Sequence, residues 1–151
     1  MKKSLLICFL IFVAAFAHAQ IINPVKWTYS AKKIADKTYE IHITAVIDDK
    51  WHIYAQDAGE GPVPTSFVFA KNPLVTTIDK VKEIGKLEKA YDENFRSELK
   101  YYEKKVDFVQ KIKLKAAAST TVKGTLTFMV CNDRQCLPPK DIPFSVTVGG
   151  K

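Results

Sequence analysis

The sequence predicts an all-β domain, an antiparallel sandwich of about eight strands. Three observations predict it. Apolar residues recur with a period of two through four long runs, the pattern of strands with one buried face. Turn-forming clusters interrupt the chain at Asp48-Asp49-Lys50, Gly59-Glu60-Gly61-Pro62 and Asn72-Pro73. No long stretch repeats with the 3.6-residue period of an amphipathic helix. Short strands and frequent turns in this number suit an immunoglobulin-like sandwich.

The elements follow in order. Lys26 to Ser30 is a short candidate strand. Tyr39, Ile41, Ile43, Ala45 and Ile47 share one face of the first long run, with Glu40, His42 and Thr44 on the other. Trp51 to Ala55, Ser66 to Ala70 and Thr76 to Ile84 are shorter candidates. Arg96 to Lys105 is the one candidate for a short helix, a reading weakened by Tyr101-Tyr102 and the β-pattern beyond it. Val106, Phe108, Gln110, Ile112 and Leu114 alternate with Asp107, Val109, Lys111 and Lys113. Val122, Leu126, Phe128 and Val130 alternate with Lys123, Thr125, Thr127 and Met129. Ile142, Phe144, Val146 and Val148 form the last run. The chain shows no internal repeat, linker or low-complexity segment.

The first residues, MKKSLLICFLIFVAAFAHAQ, set the compartment. Lys2 and Lys3 precede an apolar run from Ser4 to Phe16, and Ala17-His18-Ala19 is a small-x-small cleavage site. The run is shorter than the roughly 20 residues that span a bilayer. Residues 1–19 therefore read as a signal peptide, and 20–151 as one exported domain. Cys8 precedes most of the apolar run, which argues against a lipoprotein signal. Removing Lys2 and Lys3 lowers the net charge from +7 to +5. The remaining lysines are scattered, as on the solvated faces of strands. No nucleic-acid-binding motif is present, and an exported protein rarely meets nucleic acid.

Of three cysteines, Cys8 leaves with the signal, so Cys131 and Cys136 remain as a pair bound for an oxidising compartment. They lie in TFMVCNDRQCLPPKDIPF with four residues between them. Cys131 ends a strand and, by alternation, lies off the face that carries Leu126, Phe128 and Val130. A four-residue hairpin loop would place the two Cα atoms roughly 4.5–5.5 Å apart, within disulfide range. Three readings remain open on the residues alone. A structural staple closing so short a loop contributes only about 2 kcal/mol. A metal site would draw on His42, His52 or Met129, but the spacing lacks a C-x₂-C knuckle. A redox pair needs thiolate character and access. Arg134 and Lys140 favour a thiolate there and Asp133 opposes it. Pro138 and Pro139 stiffen the chain beyond Cys136.

The segment FMVCNDRQCLPPKDIPFSV resembles the active-site segment of the N-terminal periplasmic domain of DsbD, the thiol:disulfide interchange protein, of the disulfide bond corrector family. The resemblance extends through DKWHIYAQ at 49–56, GPVPTSFVF at 61–69 and YDENFRSELKYYEKKVDFVQKIKL at 91–114. It implies an immunoglobulin-like fold and a redox-active disulfide formed by Cys131 and Cys136, with Cys136 attacking partners. It implies a cap loop at Asp92, Glu93, Asn94 and Phe95, with Phe95 the ring over the cysteines. It also implies that His52 and Tyr54 line the site. Alternation agrees that these two share a face opposite Trp51 and Ile53. Some members have five residues between the cysteines, and a phenol where His52 stands.

The function implied is thiol:disulfide exchange by an oxidoreductase in the periplasm, with no cofactor beyond the disulfide. A membrane-embedded or thioredoxin-like reductant would supply electrons, and disulfide-containing client proteins would receive them. In full DsbD a membrane region and a thioredoxin-like domain follow. This sequence ends at Lys151, so electrons are expected from a separate molecule, and a monomer is expected. The rival is a secreted β-sandwich binding module in which Cys131–Cys136 is structural.

Overall fold

The structure is a computed structural model that describes residues 22–93 and 95–150. The expected signal peptide and Asn94 lie outside the described residues. The described residues form eight antiparallel strands: β1 (Val25–Ala35), β2 (Thr38–Ile47), β3 (His52–Tyr54), β4 (Ser66–Phe69), β5 (Val75–Asp92), β6 (Ser97–Leu114), β7 (Thr120–Cys131) and β8 (Cys136–Val148). There is no helix among the described residues.

Pairing runs β1-β2-β6-β3-β7-β4, with β5 added to β6 and β8 to β7. The sheet curls over its own core, and the result is the immunoglobulin-like sandwich the alternation predicts. The three-residue strand β3 joins the layers, because it pairs with β6 on one side and β7 on the other. β6 serves two partners along one edge. Tyr101 to Glu103 meet β3, and Lys105 to Lys113 meet β2.

The core collects the apolar faces of the long runs. Ile41, Ile43 and Ala45 of β2 meet Val106, Phe108 and Ile112 of β6, and Leu126, Phe128 and Val130 of β7. Trp27 of β1 packs edge-on against Phe128, with ring centroids 5.2 Å apart. Ile53 of β3 is fully buried in this core. Gln110 shares the buried face of β6, and its amide donates to the Ile78 carbonyl at 2.9 Å.

The main departures from expectation lie in β5 and β6. Arg96 to Lys105 is largely strand, and β5 continues to Asp92, well beyond Ile84. The two 18-residue strands form one hairpin whose tip lies between Asp92 and Ser97. β8 begins at Cys136 and carries Pro138 and Pro139 inside it. The ladder with β7 steps from Phe128↔Lys140 to Val130↔Leu137. The prolines occupy this bulge, on a strand hydrogen-bonded to β7 alone, where a missing N–H is tolerated.

Candidate functional site

At one end of the sandwich, β3, β7, β8 and the β5–β6 tip meet around the cysteine pair. Cys131 and Cys136 are cross-strand partners and form a disulfide, with Cα atoms 4.1 Å apart. That close approach is typical of directly opposed residues between ladder hydrogen bonds. The loop between them is held by its first residue. The Asn132 amide donates to the Gln135 carbonyl at 2.9 Å. Its Oδ1 accepts from the amides of Arg134 and Gln135, each at 2.9 Å. An Asx side chain thus closes the turn, and the ladder already brings the sulfurs together.

The two cysteines differ in exposure. Cys136 is exposed, whereas Cys131 is only 2% exposed. Cys131 does lie off the main core face, as alternation predicts, yet it does not meet solvent. A second, smaller apolar cluster covers it: Tyr54, Ala58 and Leu99, with Phe95, Tyr101 and Met129 packed against them. The alternation within β7 cannot register this cover, since most of it comes from β3, the first residues of β6, the hairpin tip and the 55–65 loop.

His52 and Tyr54 sit on the cluster side of β3, and Ile53 points into the main core. The cross-strand partner of His52 on β7 is Cys131, and on β6 it is Glu103. Glu103, His52, Cys131 and Cys136 therefore form one row across four strands, and directly opposed side chains share a face. Tyr101 meets the His52 ring at 4.7 Å, and Tyr54 meets it edge-on at 5.3 Å. Burial lowers the pKa of His52, and the carboxylates of Glu103, Asp133 and Asp92 act against that. Burial also pushes the Tyr54 phenol up to about 12, with Asp92 adding to the shift. Both groups are neutral at pH 7.

Tyr54 is anchored through its backbone. The buried Thr65 hydroxyl donates to the Tyr54 carbonyl at 2.5 Å. Ala55 next to it donates to the Lys100 carbonyl at 3.0 Å.

Of the expected cap loop, Asp92 ends β5, and its Oδ1 accepts from the Phe95 amide at 3.1 Å. That bond closes the tip, and Phe95 turns its half-buried ring onto the edge of Tyr54, with centroids 6.5 Å apart. Glu93 is exposed. Gly61 makes room for the ring. A Cβ there would run into Phe95 Cδ1, and the backbone has φ +119°, where only glycine is at ease.

Together His52, Tyr54, Asp92, Phe95 and the 131–136 loop line a cleft of about 330 Å³. His42 lies elsewhere, on β2, where Nδ1 meets Asp107 Oδ2 at 2.7 Å. Lys140 is not among the cleft residues, while Asp133 and Arg134 are. Among the described residues no cluster of three or more His, Cys, Asp or Glu side chains is placed to hold a metal ion. Sequence reasoning missed Glu103 and Tyr101. Extending the alternation of β6 back to Ser97 would have put both on the face of Leu99.

Fold and cleft define an immunoglobulin-like β domain with a half-exposed disulfide at one end. The chain belongs to the family of N-terminal domains of the thiol:disulfide interchange protein DsbD, whose sequence model matches residues 19–147. Among solved structures, the N-terminal periplasmic domain of ScsB from Proteus mirabilis has a TM-score of 0.55 and 16% identity over 80% of this chain. The chain spans 44% of that ScsB structure. The reduced DsbD N-terminal domain of Neisseria meningitidis has a TM-score of 0.53 and 18% identity, covering 82% of this chain and 86% of that one. The complex of the DsbD and PilB N-terminal domains from Neisseria meningitidis gives 0.51 and 17%, covering 87% of this chain and 91% of the matched one. At these identities the likeness is one of fold. No curated protein matches.

Proposed function

We propose that the protein is a periplasmic thiol:disulfide oxidoreductase that relays reducing equivalents through Cys131 and Cys136. The observation that carries this reading is the asymmetry of the disulfide: both cysteines line the cleft, but Cys136 is exposed and Cys131 is buried. A donor thiolate attacks the accessible Cys136 sulfur, and Cys131 leaves as the thiolate. A second donor thiol then releases the mixed disulfide and frees the dithiol. In the forward half, the Cys136 thiolate attacks a client disulfide and Cys131 resolves the intermediate. No organic cofactor takes part.

A staple would need neither an exposed sulfur nor a lined cleft. The family's name and the disulfide support the exchange reading. The donor is a membrane-embedded or thioredoxin-like thiol reductant, and the clients are periplasmic proteins with disulfides. The complex formed by the meningococcal DsbD domain with a PilB domain supports docking of a folded partner at such a site. The protein acts as a monomer, exported by residues 1–19, and Phe95 is a cap that partners displace.

The test is the equilibrium reduction potential of the pair, titrated on the mature protein in a glutathione or dithiothreitol redox buffer. A value between about −120 and −270 mV places it with exchange proteins. A value below about −300 mV marks a structural bond, and the domain would then be a stapled binding module.

A further inference from the structure

His52 is placed by pairing register, not by loop geometry. It is flanked in one row by a buried cysteine and a carboxylate. Resting on the exchange reading above, we propose that His52 is the base that ionises Cys131 when the mixed disulfide on Cys136 resolves, with Glu103 stabilising the imidazolium that forms.

The chemistry demands such a group. Cys136 can lose its proton to solvent because it is exposed. Cys131 is covered by Tyr54, Leu99 and Phe95, and apolar surroundings hold a thiol in its protonated form. Resolution nevertheless requires the Cys131 thiolate. His52 takes the proton from Cys131 Sγ. The thiolate attacks Cys136 Sγ, the Cys131–Cys136 bond forms, and the bond from Cys136 to the partner sulfur breaks. The partner sulfur leaves with the electron pair and is protonated by the imidazolium or by water. The dithiol is oxidised by two electrons, and the partner disulfide is reduced by two. In the opposite direction the imidazolium protonates Cys131 as it leaves.

The surroundings suit a group that must be neutral at rest and briefly cationic. Burial holds the imidazole in its base form. Glu103 faces it from β6, Asp133 from the β7–β8 loop and Asp92 from β5, and all three charges favour the cation. Arg134, lining the same cleft, acts against it. Tyr101 on β6 and Tyr54 on β3 have raised pKa values, so neither competes as a base. The arrangement follows the logic of a thiol, an imidazole and an orienting carboxylate.

The reduced mature protein is mixed with a nitrobenzoate disulfide whose released thiolate is coloured. The first burst of colour reports attack by Cys136, and the second reports closure by Cys131. His52→Gln should slow the second phase at pH 7 by at least about tenfold, within the range of general-base effects. The deficit should shrink as pH rises above about 8.5, the ordinary thiol value, because hydroxide increasingly replaces His52 in taking the Cys131 proton. His52→Tyr keeps a ring in place and should show the same loss, so the test survives a folding defect in the glutamine variant. Glu103→Gln should give a smaller loss of the same sign. A second phase at the wild-type rate would overturn the proposal. So would a deficit of equal size at every pH, the sign of a purely structural role. The assay needs only the dithiol and a small disulfide, so it can fail independently of the reduction potential that tests the exchange reading.

Discussion

Replacing Phe95 with alanine should speed reduction of the disulfide, and the structure gives a scale for how much. Fully burying a phenylalanine contributes about 1.5–3 kcal/mol, and Phe95 is half-buried, so lifting it costs about 1 kcal/mol from this source. The edge-on pair with Tyr54 adds about 0.5–1.5 kcal/mol. Opening therefore costs about 2 kcal/mol in all, which corresponds to a closed cap favoured by about 30-fold. Cys136 is exposed with the ring in place, so the gain comes from uncovering the leaving Cys131 sulfur. If its departure requires the open form, removing the ring raises the rate by up to about 30-fold. The assay is acid-quenched reduction of the oxidised mature protein by excess dithiothreitol, with thiols counted over time. Gly61→Ala reaches the same end by another route, because its methyl group would displace the ring. That variant also carries about 1–3 kcal/mol of backbone strain, which denaturant titration would read separately. If Phe95→Ala reacts within about twofold of wild type, opening is not on the path. Phe95 would then be packing and no more.

Cys131→Ser should accumulate mixed disulfides with partner proteins, read on non-reducing gels. Cys136→Ser should accumulate far fewer, since its remaining thiol is buried. Gly124→Ala should destabilise the fold by about 1–3 kcal/mol, measured by urea titration, because a methyl there lies 2.5 Å from Phe144 Cζ and 2.6 Å from the Val68 carbonyl oxygen. Stability should fall between about pH 10, where an unfolded tyrosine ionises, and about pH 12, the value to which burial raises Tyr54 and Tyr102. The folded phenols hold their protons through that window, so the stability they contribute is complete below it and lost as pH rises through it. Tyr102→Phe should flatten the decline, followed by urea midpoints at several alkaline pH values.

Half-buried strands were legible because burial writes itself as alternation. β2, β7 and the second half of β6 bury one face and show it plainly. β5 does not. Its run from Lys86 to Lys89 is charged or exposed along an outer edge, so no buried face marks it as strand, and its extension to Asp92 was missed. That gap also hid the hairpin tip and with it the cover over Cys131. Parity within β3 correctly set His52 and Tyr54 against Ile53. The neighbour of His52 was beyond reach, because pairing between strands distant in sequence leaves no trace in either strand's own pattern. The two prolines read as stiffening the chain beyond Cys136, and the sequence did not show that they do so inside a strand, where a bulge on a free edge accommodates them.

The brevity of β3 has a consequence for how such a chain can diverge. The strand has three residues and is ruled on both sides by long neighbours. One extra residue ahead of it, if the 48–51 turn failed to absorb it, would put Ile53 in the cleft and His52 in the apolar interior, since side chains alternate faces. The 131–136 loop is under no such rule. Another residue at its apex leaves both cysteines at the ends of their strands. Lineages descending from this fold are therefore free to lengthen the span between the thiols and to retune it, while the small strand beside it admits point substitution but not insertion.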